Sequence, residues 1–231
     1  MSKDLDLEKE LKRDHFRVAI FGSARPKPGE AVYQDTYRLA KNIAGIGLDV
    51  ITGGGPGLME AASLGHRDGD PEGKTHSIGV NIKLPFEQAV NPGVEISDEH
   101  ERFSTRLDEF MLLSTAAVVM PGGIGTALEL FYTWQLIQVH HICKMPLILV
   151  GEMWLELIYW VIDHQLKDKY ISPEDLNSVI CVKTIDEALE VIKDAKRVYD
   201  EKGPDACMNW EQYGEKFNGR LDESDKPSTS S

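Results

Sequence analysis

Positive charge is scarce in this 231-residue chain: 38 acidic against 25 basic side chains give a formal net charge of −13. That balance argues against broad binding to nucleic acid or to an anionic membrane surface, since both are held by basic patches. A small anion remains compatible with it, because backbone amides and one or two arginines meet such a charge locally. Long apolar runs are missing as well. The best of them, Met145 to Gly151, is of strand length, well short of the ~20 residues that span a bilayer, so no membrane segment is expected. Residues 1–16 have no apolar core and carry both charge signs, so they read as an arm or a short amphipathic helix and not as a secretory signal. Cysteine is sparse. Cys143, Cys181 and Cys207 lie far apart and form no CxxC pair, which disfavours a zinc site or a disulfide framework and fits a reduced, cytoplasmic setting. His140, His141 and Cys143 are close in sequence. Adjacent side chains at a helix end point about 100° apart, however, so a solvated terminus is expected there and no metal site.

Missing motifs narrow the chemistry further. There is no GxGxxG in a strand-turn-helix setting, and Thr52 and Gly53 stand where a dinucleotide-binding strand would end in an acidic residue, so an NAD role is disfavoured. GxxxxGK[ST] and GxSxG are absent too, which disfavours a P-loop nucleoside triphosphatase and a serine hydrolase. No cofactor is expected.

What the chain does have is one scheme repeated: an apolar strand, a glycine-rich turn, a helix. The strand Val18 to Phe21 runs into Gly22-Ser23-Ala24-Arg25, and a helix with apolar residues at helical spacing follows from Glu30 to Ile46. Val50 and Ile51 lead into Gly53-Gly54-Gly55-Pro56-Gly57 and another helix. Thr75 to Ile82 gives a third strand and Val94 to Ile96 a short one. A helix over Glu99 to Ser114 then delivers the chain to Ala117 to Met120. Helix Ala127 to His140, strand Pro146 to Gly151, helix Trp154 to Leu166, strand Val179 to Val182 and helix Ile185 to Tyr199 complete the pattern. Strands alternating with crossover helices predict a doubly wound, mostly parallel, Rossmann-like α/β sheet in a single domain over residues 17–200. Ligands bind beyond the carboxyl ends of such strands, so the three glycine loops are expected to line one crevice. Residues 201–231 lose periodicity and read as a partly disordered extension, in which Trp210, Tyr213 and Phe217 have the spacing of one more short helix.

The stretch that organises the rest is Ala116 to Glu129. An apolar strand meets Pro121-Gly122-Gly123-Ile124-Gly125, where missing Cβ atoms let the backbone take positive φ and bring its N–H groups to a ligand, with the positive end of a helix behind them. That is a phosphate site. Thr126 adds a hydroxyl, and Glu129, about one turn on, brings a carboxylate to the same mouth. The alternative is a tight turn in which Thr126 and Glu129 form a capping box.

Gly53 to Ala62 (GGGPGLMEAA) and Pro121 to Glu129 (PGGIGTALE), with Arg106 fifteen residues before Pro121, resemble the LONELY GUY (LOG) family. The likeness runs from about Ala19 to His164, and VNIKLPFEQAVNPG resembles its longer bacterial branch. The resemblance implies a homodimeric phosphoribohydrolase that cuts the N-glycosidic bond of nucleoside 5′-monophosphates. Arg106 and Glu129 fall on the family's catalytic pair, and Gly122, Gly123, Gly125 and Thr126 on its phosphate loop. The family commonly has Arg-Lys where this chain has Arg106-Leu107, so a second positive charge beside the substrate is missing. Arg106 taken alone reads rather as a helix-surface ion pair with Asp108 or Glu109. Ser23, Gly54, Gly55 and Glu60, with Arg25, are further candidates for substrate contact; Glu60 reads equally as a first-turn carboxylate facing the helix dipole. The competing class is a nucleotide or molybdenum-cofactor carrier, which would keep the phosphate loop without needing a poised acid. A second copy is also expected from the helix Leu128 to Val139, whose apolar residues surround it on nearly all sides.

Overall fold

The computed structural model describes residues 2–85, 89–142 and 145–203, so the expected helix around Trp210 to Phe217 lies outside the described residues. Among the described residues eight strands, all paired in parallel, form one sheet. They are β1 (Lys3–Asp4), β2 (Arg17–Phe21), β3 (Asp49–Thr52), β4 (Ser77–Ile82), β5 (Ile96–His100), β6 (Ala116–Val119), β7 (Leu147–Val150) and β8 (Val179–Val182), in the order β1-β5-β4-β3-β2-β6-β7-β8. The helices are α1 (Leu7–Leu11), α2 (Ala31–Gly45), α3 (Leu58–Gly69), α4 (Phe103–Leu113), α5 (Ile124–Gln138), α6 (Glu152–Trp160), which continues as a π-helical turn over Val161–Leu166, α7 (Pro173–Leu176) and α8 (Ile185–Lys202).

Strand alternation explains the layers. In β2, Val18 and Ile20 enter the core under α2, α3 and α8, whereas Ala19 and Phe21 enter the core under α4, α5 and α6. The middle strands are apolar on both faces because each face is covered by a helix layer, the condition for an all-parallel sheet. Chain order runs leftward from β2 through β3 and β4, then restarts on its other side at β6. The gap between β2 and β6 is therefore the topological switch point, where a doubly wound sheet opens a crevice. On the first face α2 and α3 pack closely through Gly65 and Gly69, at which an added Cβ would lie 2.1 Å and 2.3 Å from the carbonyl oxygens of Tyr37 and Lys41.

The amino-terminal arm differs from expectation. Lys3–Asp4 adds an edge strand beside β5, with the Lys3 N–H donating to the Glu95 carbonyl at 2.7 Å. Two residues carry no readable period, so this strand had no signal. The helical expectation for the arm holds at α1, capped by the Asp6 side chain accepting from the Lys9 N–H at 3.1 Å. Helix α4 starts at Phe103, after Glu99 and His100 have joined β5. Helix α5 starts at Ile124, three residues before the expected position.

A buried polar cluster clamps α1 to the amino ends of the strands. Glu10 and Arg17, both almost fully buried, pair at 3.2 Å, and Arg13 reaches Glu10 at 2.9 Å. His76 Nδ1 lies 3.2 Å from the other Glu10 oxygen, and Asp49 accepts the His76 N–H at 2.8 Å. Burial alone would raise the Glu10 pKa, but the His76 hydrogen bond and the charges of Arg13, His76 and Arg17 outweigh it and lower it to about 2. A folded pKa below the unfolded one gives stability that is present above the unfolded value and lost as pH falls toward the folded one. Glu10→Gln is therefore expected to cost about 2 kcal/mol at pH 7, allowing for solvent at the rim, or roughly 4–8 °C in thermal midpoint. Melting curves at several pH values check this. The gap between variant and wild type should narrow below about pH 4.5 and close near 2, and a gap independent of pH would refute the ionic origin.

Candidate functional site

Three loops leave the carboxyl ends of the neighbouring strands β3, β2 and β6, and Ser23 ties them together. Its N–H donates to the Pro121 carbonyl at 3.2 Å, and its own carbonyl accepts from the Leu58 N–H at 2.9 Å. The second loop fits under the first at Gly57, where a Cβ would lie 2.5 Å from the Ser23 carbonyl oxygen. The expected convergence is thus built by main-chain bonds. The loops line a cavity of about 800 Å³, together with Met59, Asn81, Phe103 and Arg106.

Glycine works here differently from expectation. Gly122, Gly123 and Gly125 all have ordinary negative φ; positive φ occurs instead in the second loop, at Gly54 (+68°) and Gly57. Gly122 is needed because a Cβ would strike the Thr126 side chain. A Cβ on Gly123 or Gly125 would meet no protein atom, since both face the open cavity. Gly123 is the N-cap of α5, so the first-turn N–H groups that follow it have no partner within the helix and border the same cavity. The capping-box alternative fails on this register, because Thr126 lies inside the helix and not at its cap.

Arg106 and Glu129 meet on the cavity wall. Helix α4 carries Arg106 across β4, where its Nε donates to the Val80 carbonyl at 2.9 Å and its guanidinium carbon lies 5.2 Å from the centre of the Phe110 ring. Its Nη1 is 3.3 Å from Glu129 Oε1, so the pairing with Asp108 or Glu109 is not formed. Nη2 rests against Gly53, where a Cβ would stand 2.3 Å away. Both partners are about nine-tenths buried. Burial raises the Glu129 pKa to about 7, and the Arg106 charge only partly counters this. Desolvation depends on the whole enclosure and has no sequence signal. The same burial lowers the Arg106 pKa.

Other expected residues separate into two groups. Ser23, Arg25 and Gly54 line the cavity. Gly55 and Glu60 do not. Gly55 is buried in its loop, its carbonyl accepting from Asn91 Nδ2 at 2.9 Å. Glu60 stands in the first turn of α3, where its charge, after burial, helps to raise the pKa of Tyr33 on α2 in the same helix layer. The dipole-facing alternative describes it. Residues the sequence did not single out are Asn81, whose Oδ1 fills the space beside Gly54, and Phe103, an exposed ring at the mouth. Gly53 was legible only as part of a triple glycine. Among the described lining residues the cations are Arg25 and Arg106 and the anions Glu99 and Glu129.

Comparison with known proteins places this geometry. A family model described as possible lysine decarboxylase matches residues 59–192. A probable cytokinin riboside 5′-monophosphate phosphoribohydrolase of rice, Oryza sativa subsp. japonica, is 28% identical over 205 residues, covering 84% of this chain and 76% of the relative. A cytokinin riboside 5′-monophosphate phosphoribohydrolase of Rhodococcoides fascians is 26% identical over 183 residues, with 76% and 88% covered. Among solved structures, a molybdenum cofactor binding protein from Rippkaea orientalis superposes with TM-score 0.56 at 22% identity over 79% of this chain and 98% of its own. The molybdenum cofactor carrier protein of Chlamydomonas reinhardtii gives 0.56 at 23%, over 79% and 99%. At such identities the two structures share the fold with this chain. The family match takes in Arg106, the glycine loop and Glu129 alike and covers more than half the sequence, and the chain therefore belongs to the LOG family, the one described as possible lysine decarboxylase.

Proposed function

We propose that the chain hydrolyses the N-glycosidic bond of a nucleoside 5′-monophosphate, releasing free base and ribose 5-phosphate. The observation that carries this reading is the buried Arg106–Glu129 pair, 3.3 Å apart on the wall of a cavity bordered by the open first turn of α5. The unpaired N–H groups after Gly123 suit a 5′-phosphate. Departure of the base with the bonding electrons leaves an oxocarbenium-like ribosyl cation, which a carboxylate stabilises. A water adds its oxygen to C1′, Glu129 takes its proton, and a proton passes to the departing base nitrogen, so that neutral base leaves and the carboxylate is restored. Arg106 orients a phosphate or ribose oxygen through its charge and its parallel donors. The family's older decarboxylase label finds no support in these residues, because no lysine stands among the described residues lining the cavity to hold pyridoxal phosphate.

Incubating the purified protein with a panel of nucleoside monophosphates and assaying ribose 5-phosphate tests the reading. Release of base from none of them, with nucleotide still bound, would replace it by the carrier reading. The pH dependence offers a second check. A base must be ionised, so with Glu129 near 7 in the free protein, kcat/KM should fall about tenfold per unit below pH 7 and level off above it. A profile flat from about pH 5.5 to 8.5 would exclude Glu129 as the base.

We further propose a homodimer. Thr126, Glu129, Leu130, Thr133, Trp134 and Ile137 bury one side of α5, while Ile124, Leu128 and Phe131 expose an apolar strip on the other. Light scattering at micromolar concentration should give twice the mass of the chain, and a monomeric mass would refute the pairing. Among the described residues no helix is long and apolar enough to cross a membrane.

A further inference from the structure

Outside the cleft, β5 and α4 bring together side chains that the proposed reaction does not use. Asp98 and His100 alternate along β5 and so project on one face, toward α4. His100 Nε2 lies 2.9 Å from Glu109 Oε2 and 3.6 Å from Asp98 Oδ2, and one donor atom from each of the three residues falls within 4.8 Å of the others. Two ligands of one zinc ion, each bound at about 2.0–2.2 Å, stand roughly 3.3–3.5 Å apart in tetrahedral geometry, so this spacing needs little adjustment.

Two further observations point to an ion. Glu109 is only 5% exposed, its Oε2 faces His100 and its carboxyl group lies against the like-charged Asp98, while its buried Oε1 meets no donor in hydrogen-bond geometry, an arrangement that proteins rarely leave unmet. The imidazole is also oriented as a ligand. The Thr105 hydroxyl donates its single proton to the Arg102 carbonyl at 3.1 Å, so it accepts from His100 Nδ1, 3.0 Å away. Nδ1 then carries a hydrogen, and the proton shared between Nε2 and Glu109 Oε2, 2.9 Å apart, is the one an ion would displace, with Thr105 fixing the ring as an outer-shell partner fixes a metal-ligating histidine.

We propose that Asp98, His100 and Glu109 bind a divalent transition-metal ion of the zinc class, at a site distinct from the nucleotide cleft. One imidazole nitrogen with two carboxylate oxygens favours Zn²⁺ or Co²⁺ over Mg²⁺, which prefers an all-oxygen octahedral shell. Asp98 is half-exposed, so the fourth position opens to water. The ion would join β5 to α4, the helix that carries Arg106 one turn before Glu109. Its role is to clamp that helix.

Full-length protein stripped with chelator and titrated calorimetrically with ZnCl₂ should show one site of micromolar or tighter Kd. Zinc should raise the thermal midpoint, MgCl₂ should not, and the Co²⁺-loaded wild type should show the visible absorption of a four-coordinate nitrogen–oxygen site. His100→Ala and Asp98→Asn should each weaken binding by at least about tenfold. Combined His140→Ala, His141→Ala and Cys143→Ser should leave it unchanged. Circular dichroism checks the variants' folding; if His100→Ala unfolds, the half-exposed Asp98→Asn and the wild-type Co²⁺ spectrum decide. The proposal is overturned by absence of saturable zinc binding, by binding that survives both folded substitutions in the cluster, or by binding lost in the His140, His141, Cys143 variant.

Discussion

Glu129→Gln is expected to bind nucleotide about as well as the wild type and to turn it over roughly 10²- to 10⁴-fold more slowly. The amide keeps the shape of the carboxyl group and an oxygen that can accept from Arg106, 3.3 Å away in the wild type, so the wall of the cavity should persist. In the proposed reaction, what disappears is a negative charge that matters most as the ribosyl cation develops, and the base that takes the proton from water. An interaction that grows toward the transition state appears in kcat, whereas one already complete in the ground state appears in KM. Gly125→Val provides the contrast. Its Cβ would meet no protein atom within 4 Å, so the fold should tolerate it, but the side chain would intrude on the space that a phosphate needs beside the α5 amides. KM should then rise first. Measuring both constants for both variants on one accepted nucleotide separates the roles, and turnover by Glu129→Gln near the wild-type rate would remove the carboxylate from the chemistry.

Gly53→Ala should lower kcat/KM by about 10²-fold without unfolding the protein. A methyl group there would stand 2.3 Å from Arg106 Nη2 and 2.8 Å from Met59 Sδ, both near the ends of flexible side chains that can move aside. The backbone can therefore stay while the guanidinium shifts. Arg106 would leave the position set by the Val80 carbonyl, Phe110 and Glu129, and a displacement of about 1 Å at a positioning group suffices for a loss of that size. Comparing Gly53→Ala with Arg106→Met tests the route. Their effects should be strongly non-additive in the double variant, because the second change removes a group that the first has already displaced. Additive losses would show that Gly53 acts by some means other than Arg106.

The two variants draw on different kinds of information. The proposal that Glu129 and Arg106 act in the chemistry rests on the sequence, through the PGGIGTALE stretch, the glycine loop before it and the resemblance these carry. The strand-glycine-helix scheme was equally legible, and with it the parallel sheet, because apolar periodicity and glycine turns are local properties of the chain. Even so, local pattern misplaced details that packing decides. The glycines of the third loop were expected to need positive φ and instead leave room, one for Thr126 and two for the open cavity. Glu60, which like Glu129 follows a glycine loop, faces Tyr33 of α2 within its own helix layer and does not line the cavity.

Tertiary structure decided everything that depends on distance across the sheet. The order β3-β2-β6 makes neighbours of three loops separated by dozens of residues in the chain, and only that order opens the crevice between β2 and β6. It also brings Arg106 onto Gly53 and Asp98 and His100 opposite Glu109, pairs for which no spacing rule exists. The Glu129 pKa near 7 belongs to the same class. A charge beside a carboxylate can be foreseen from residue types, but the cost of burying that carboxylate comes from all the atoms enclosing it, and those are assembled only when the chain has folded.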